Sequence, residues 1–227
     1  MTQEKQTPKR TQWDAGRFMQ TLAYFEVIPF VSWIQKMFQG DSVRSQAVDP
    51  QAGLLFDFAR SSEMNASWGA LDDVVMGGVS ESSVQLVDGA ALFTGNVSTA
   101  NSGGFASIRT RNFEPAIDLS HFTGIELRLK GDGNRYKFLI RDDDKWDSIA
   151  YSHSFDTANG EWITVRIPFA ELVPVFRAKT LQNSVIHKNS IRSLQLMLSK
   201  FEYDGGLNPH FTPGTFQLFV GTIAAYR

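Results

Sequence analysis

A chain of 227 residues can bury one substantial core, or one core and a small appendage. Its 22 Lys+Arg against 24 Asp+Glu leave a formal net charge of -2, which argues against a general nucleic-acid binder, because neutralising phosphates needs a basic face. With no cysteine and four histidines (His121, His153, His187, His210), the chain offers no disulfide framework, thiolate metal site, cysteine nucleophile or histidine-rich metal cluster.

Met1 to Arg10 are polar and charged and carry no apolar core of a secretory signal, so the expected setting is a reducing one, most simply bacterial cytoplasm. At Trp13 the composition changes. The stretch FMQTLAYFEVIPFVSWIQKMF has two charged side chains, Glu26 and Lys36. Phe18, Leu22 and Phe25 recur at helical spacing, and Val31, Ile34 and Phe38 continue it, while Phe30 and Trp33 fill other sectors. Pro29 splits the run, predicting helices over 14–27 and 29–39 that end at Gly40. The run is barely long enough to span a bilayer, and Glu26 sits inside it. The expected arm, 13–39, either packs on its own domain or docks on a membrane surface or a membrane-protein partner. Lacking a basic polar face, it suits a protein partner better than lipid. Residues 40–52, GDSVRSQAVDPQA, read as a linker after the flexible residues 1–12.

From residue 53 onward, strand patterns alternate with turns. LLFDF (54–58) comes first; SVQLV (83–87) and ALFTG (91–95) flank Asp88-Gly89, the strongest hairpin signal in the chain. GFASIRT (104–110) follows. In GIELRLK (124–130), Ile125, Leu127 and Leu129 share one face, and Glu126, Arg128 and Lys130 the other. YKFLIR (136–141), DSIAYSHSF (147–155), EWITVRI (161–167), SLQLML (193–198) and TFQLFVGTIAAY (215–226) complete the series, with PFAELVPVF (168–176) read as a short helical crossing or a capping loop. About ten short strands without long helices predict an all-β sandwich or jelly roll over 53–227.

Five segments carry a resemblance: WGALDDVVMGGVS (68–80), NSGGFASIRT (101–110), GIELRLKGDGNRY (124–136), EWITVRIPFAEL (161–172) and VFRAK (175–179). Together, and in this order, they resemble the complex I intermediate-associated protein 30 (CIA30) family over about residues 54–226. The matching positions are Asp73, Met76, Gly77, Gly78 and Ser80; Gly103, Gly104, Phe105 and Arg109; Gly131, Asp132, Gly133 and Tyr136; and Trp162, Pro168 and Phe169. The resemblance implies a galactose-binding-like β-sandwich. It also implies a role in assembling a membrane energy-conversion complex, respiratory complex I for mitochondrial members and photosystem II for photosynthetic relatives. It supplies no catalytic set. The arm lies outside the motif series, and a bare domain with an arm looks more like a photosynthetic-bacterial member.

Residue by residue, the glycine pairs Gly77-Gly78 and Gly103-Gly104 are expected at tight turns or close backbone approaches; they fit no phosphate loop. Asp72-Asp73 invites metal or glycosidase readings, but Asp73 is expected first to fix its loop by accepting backbone N–H bonds. Asp142 to Asp144 read as a solvated turn. Arg109 and Arg111 share a strand face that Arg128 could extend into a cationic strip for an acidic partner or small anion. Trp146, Trp162, Tyr136 and Tyr151 are the residues of a possible sugar platform, with Trp162 better read as core.

The partner- or ligand-binding candidates are therefore Phe18, Leu22, Phe25, Phe30, Trp33, Asp73, Met76, Arg109, Arg111 and Arg128. Gly77, Gly78, Gly103, Gly104, Gly131, Asp132, Gly133 and Trp162 are the structural motif positions. No catalytic residue, metal or cofactor is implied. The expected function is a non-catalytic, chaperone-like assembly factor in the cytoplasm, peripheral to a thylakoid or plasma membrane. A small-ligand or carbohydrate-binding module is the alternative.

Overall fold

A computed structural model describes residues 12–25, 49–60 and 67–227. One helix, α1 (Ala15–Tyr24), precedes strands β1 (Leu54–Asp57), β2 (Trp68–Ala70), β3 (Glu81–Val87), β4 (Ala90–Val97), β5 (Phe105–Thr110) and β6 (Gly124–Lys130). There follow β7 (Arg135–Arg141), β8 (Ala150–Asp156), β9 (Trp162–Pro168), β10 (Val173–Phe176), β11 (Lys179–Thr180), β12 (Ser193–Ser199) and β13 (Gly214–Tyr226). The protein is an all-β, antiparallel sandwich with an N-terminal helix, a jelly-roll architecture.

The first sheet has the order β3-β4-β13-β6-β9, with β1 also on β13; the second runs β11-β10-β8-β7-β12-β5-β2. The 13-residue β13 serves two neighbours along one edge, β4 with its first half and β1 with its second, and its register against β6 shifts between Val220 and Thr222. The β3–β4 hairpin closes on Asp88-Gly89, with Val87 opposite Ala90. Both turn residues have positive φ (51° and 75°), as a tight twisted hairpin demands.

The core follows the alternation. Ile125, Leu127 and Leu129 of β6 meet Tyr136, Phe138 and Ile140 of β7 and Leu194, Leu196 and Leu198 of β12, all buried in one cluster. Burying each of these side chains contributes about 1.5–3 kcal/mol. In β9 the apolar residues Ile163, Val165 and Ile167 turn inward, so parity sends Trp162 outward: it is 39% exposed, not a core residue as its apolar surroundings suggested. PFAELVPVF resolves into a 3-10 turn (Phe169–Glu171) and then β10.

The two sheets differ on their outer faces. In the first, β9 leaves alternate residues to solvent, whereas β12 and β7 of the second are covered on both faces. Ser193, Gln195, Ser107, Arg109, Lys137 and Ser152 are buried there although they point away from the core. A polar yet buried sheet face is costly unless every group finds a partner.

Asp14 caps α1 by accepting the Arg17 N–H (3.1 Å), and Phe25 donates back to Thr21 (3.2 Å). The helix is shorter at both ends than the expected 14–27. The second expected helix (29–39), with Phe30 and Trp33, lies outside the described residues, as does most of the expected linker. Its last part, Asp49 to Ala52, lies in a tight turn closed by backbone bonds exchanged between Asp49 and Leu54 (2.9 Å each way). Among the described residues no helix is long and apolar enough to cross a membrane.

Candidate functional site

Two adjacent aspartates organise one end of the sandwich. Asp72 and Asp73 are each 1% exposed, at the start of a 3-10 turn (Asp73–Met76) between β2 and β3. Asp73 Oδ1 accepts the Ser80 N–H (2.9 Å); its Oδ2 accepts the Ser80 hydroxyl (2.6 Å) and the N–H groups of Gly104 (2.7 Å) and Phe105 (3.3 Å). Asp73 therefore fixes its own loop and ties it to the start of β5. Asp72 accepts from Ser82 N–H (2.9 Å) and hydroxyl (2.6 Å), Ser107 N–H (3.0 Å) and Arg17 Nη2 (2.8 Å). Its carboxylate joins β3, β5 and α1. A carboxylate offers about four acceptor positions, and each of these two receives four donors. Asp72 receives two donors on each oxygen, whereas Asp73 receives three on Oδ2 and one on Oδ1, and both carboxylates are engaged in holding the fold. Among the described residues no group of three or more His, Asp or Glu side chains is placed to hold a metal.

The glycine pairs are explained by the Asp73 carboxylate. In each pair one member is fixed by conformation, Gly77 at φ 90° and Gly104 at φ 137°. The other member makes room: a Cβ at Gly78 or Gly103 would stand under 3.0 Å from the Asp73 side chain. We expect Gly103→Ala to destabilise by about 1–3 kcal/mol, the range for overpacking a filled interior. Urea titration checks this; an unchanged midpoint would show that the carboxylate can shift aside.

Gly131-Asp132-Gly133 is likewise a joint. Asp132 accepts the Tyr136 hydroxyl (3.1 Å to each oxygen), the Asn134 N–H (3.1 Å) and the Gln217 N–H (2.9 Å), tying β7 to β13. Burial, with Asp132 beside it, pushes the Tyr136 hydroxyl far above the usual phenol range. Asp142 is more engaged than a solvated turn requires: it accepts the His187 N–H (2.8 Å) and lies 2.7 Å from His187 Nδ1.

The described part of the arm lies on this same end of its own sandwich. Trp13 Nε1 donates to the Val74 carbonyl (2.8 Å), and Arg17 donates to the Ser80 carbonyl (2.9 Å) as well as to Asp72. Tyr24 covers Gly69 of β2, where a Cβ would collide with its ring. The inward face is thus centred on Arg17, Thr21 and Tyr24, and Phe18 and Leu22 flank it half-buried. Phe25 packs on Trp146 (ring centroids 5.2 Å apart). Arg17 was missed in the sequence because its partner Asp72 is 55 residues away.

The expected cationic strip does not form. Arg128 belongs to β6 in the first sheet, where it stacks on the outward Trp162 ring (5.5 Å). Arg109 is in β5 of the second sheet, and Arg111 follows that strand with its guanidinium over Tyr24 (4.4 Å). The arginine that does accompany Arg109 is Arg141, at the end of β7, with Gln195 and Ser193 of β12 between them. It was legible only as an outward-phase residue of YKFLIR. Nor is there a sugar platform of Trp146, Trp162, Tyr136 and Tyr151, since Tyr136 and Tyr151 are core residues and Trp162 is on the other sheet.

Two antiparallel sheets enclosing one core, with buried carboxylates locking the loops at one end, define a jelly-roll module. Solved structures agree. A family 11 carbohydrate-binding module from Clostridium thermocellum, in complex with a β-1,3-1,4-mixed-linked tetrasaccharide, superposes with TM-score 0.55 at 19% identity, covering 77% of this chain and 94% of that one. The family 11 module of the cellulosomal cellulase Lic26A-Cel5E of the same organism gives 0.53 at 17%, covering 82% and 97%. At these identities the likeness establishes the fold. The model of the family Complex I intermediate-associated protein 30 (CIA30) matches residues 56–220, and the chain belongs to that family. No curated protein matches the sequence significantly.

Proposed function

We propose that this protein is a non-catalytic assembly factor that binds protein subunits during biogenesis of a membrane energy-conversion complex, of the respiratory complex I or photosystem II kind. Membership of the CIA30 family over residues 56–220 supports the class of role. The observation that carries the mechanism is the loop from Leu71 to Ser80. Two buried carboxylates, each receiving four donors, hold it in place, and Met76 stands out from it 76% exposed. The exposed indole of Trp13 is anchored two residues away at Val74. A methionine presented on a fixed loop beside a tryptophan suits a hydrophobic patch on a partner, because a loop already held in place loses little conformational freedom on binding. The protein acts by offering surface, stoichiometrically, at the periphery of the membrane that holds the complex.

The test is affinity recovery from detergent-solubilised membranes with the full-length chain and its Met76→Asp variant. The variant is expected to melt within about 2 °C of the parent, since the side chain is solvated, and to lose most of the co-purifying subunits. Equal recovery with both proteins, from an equally folded preparation, would remove this loop from the interaction.

A further inference from the structure

The outward face of the second sheet holds the buried Arg109 and the half-buried Arg141, and among the described residues no carboxylate pairs with either. Arg109 is 3% exposed, donating Nε to the Ser193 hydroxyl (3.2 Å) and Nη1 to the Trp146 carbonyl (3.3 Å). Arg141 donates Nη1 to Gln195 Oε1 (2.8 Å), and among the described residues its buried Nε has no hydrogen-bond partner. Neither forms an ion pair among the described residues; Asp147, whose charge Arg141 feels, is bound to Arg177. Register sets the two close: Gln195 is opposite Arg109 on one side, and Ser193 is opposite Arg141 on the other.

Burial, together with repulsion from Arg141, pushes the Arg109 guanidinium down to about 8, and burial pushes Arg141 down to about 10. The fold therefore holds both cations against their preference, the arrangement expected of a site whose counter-charge comes from outside. The same sheet face continues over Met197 and Tyr203, half-buried side chains packed on a small buried cluster of Leu139, Ala150 and Val175. Leu139 lies opposite Gln195 in the β7–β12 register. Charge at one end and hydrocarbon at the other select a carboxylate on an apolar carbon skeleton over an inorganic anion, because a planar carboxylate matches the guanidinium edge and the skeleton finds apolar contact.

We propose that Arg109 and Arg141, bridged by Gln195 and Ser193, form a receptor for the carboxylate group of an organic acid on the outer face of the second sheet. This site is separate from the loop carrying Met76, so it stands or falls independently of the assembly reading. Phe25 and Trp146 flank Arg109, their rings 5.8 Å and 5.7 Å from its guanidinium carbon, and shield the charge from water.

The experiment titrates the full chain with hexanoate at constant ionic strength. The Arg Nε–H resonances are followed by NMR and the melting temperature by calorimetry, with hexanamide and inorganic phosphate in parallel. Hexanoate is expected to shift the Arg141 Nε–H saturably and, at a hundredfold excess over its Kd, to raise the melting temperature by about 5–10 °C. Hexanamide, which lacks the charge, and phosphate, which lacks the skeleton, should do neither. Arg141→Met and, as a second variant, Gln195→Leu should abolish or weaken the hexanoate response at least tenfold. A capped glutamyl peptide in a further arm distinguishes a free acid from a polypeptide side chain as the natural source; tighter binding of either supports the receptor. No saturable shift in the parent, an equal response to hexanamide, or a response to phosphate alone would overturn the proposal. The parent-chain titration decides even if a variant fails to fold.

Discussion

Asp73→Ala is expected to cost about 3–5 kcal/mol, the range for removing one partner from a buried charged hydrogen-bond network, and to lower the melting temperature by about 10 °C. The cost arises mostly in what is left behind: three backbone N–H groups, at Ser80, Gly104 and Phe105, and the Ser80 hydroxyl lose their acceptor inside a closed site. Asp73→Asn should fall between parent and alanine. One amide oxygen can serve the three donors that meet at Oδ2, but the amide nitrogen then faces the Ser80 N–H. The glycines add a sharper check. Gly103 makes room for this carboxylate, since a Cβ there would stand 2.5 Å from Asp73 Oδ2, so Gly103→Ala should be harmful alone and much less so once Asp73 is alanine. The double variant is then more stable than the sum of the singles predicts, a coupling of 1 kcal/mol or more on the order seen for residues in contact. Hydrogen exchange at Gly104 and Phe105 follows the same loss directly. A melting temperature within about 2 °C of the parent for Asp73→Ala would mean that water replaces the carboxylate without penalty.

How far such features could be read beforehand depended on whether their causes are local. The Asp88-Gly89 turn and the in-phase apolar residues of GIELRLK declare themselves within a few residues, because turn geometry and pleat parity are local properties. Asp73 was legible for a similar reason, lying seven residues from Ser80 in a glycine-rich loop. The placement of Arg128 was not. Which sheet β6 joins is decided by its pairing with β13 and β9, tens of residues away, so the arginines looked collinear in the sequence and are on different layers in the fold. The two short strands flanking the site, β2 and β10, were missed because Gly69 and Pro174 weaken any strand signal. Gly69 is needed under Tyr24, and Pro174 still offers its carbonyl, to the Leu181 N–H at 2.8 Å. Trp162 is a different case: the phase of Ile163, Val165 and Ile167 already placed it outside, and only its apolar surroundings argued for the core. The arm was read by its apolar residues, yet its described helix is held largely by Arg17, whose anchor belongs to another part of the chain.

That anchor makes folding depend on pH in a direction opposite to the usual acid lability. Complete burial pushes the Asp72 carboxyl up from 3.8 to about 6, even though the Ser82 hydroxyl, the Arg17 charge and the amides of Ser107 and Ser82 all favour the ionised form. An unfolded chain gives up this proton near its ordinary value, the folded one only near 6, so between the two the unfolded state binds fewer protons. Raising the pH through that window must therefore weaken folding. The contribution is greatest below about pH 4, declines to about pH 6 and is constant above, a total of roughly 3 kcal/mol for a shift of about two pKa units. Other carboxylates titrate in the same range, and exposed ones such as Asp118 and Asp204, held low by hydrogen bonds to Ser120 and Thr180, act in the reverse sense. The measurement is accordingly a difference: urea unfolding of the parent and of Asp72→Asn at intervals from pH 4 to pH 8. The parent should lose about 3 kcal/mol relative to the variant between pH 4 and 7, and nothing further beyond. In Arg17→Leu, which keeps the carboxyl but removes its cation, the Asp72 Cγ resonance should titrate higher still than in the parent. A parent resonance titrating near 4, or a pH-independent difference, would show that Arg17 and the surrounding donors fully offset the burial, and that α1 is held by a permanently ionised pair.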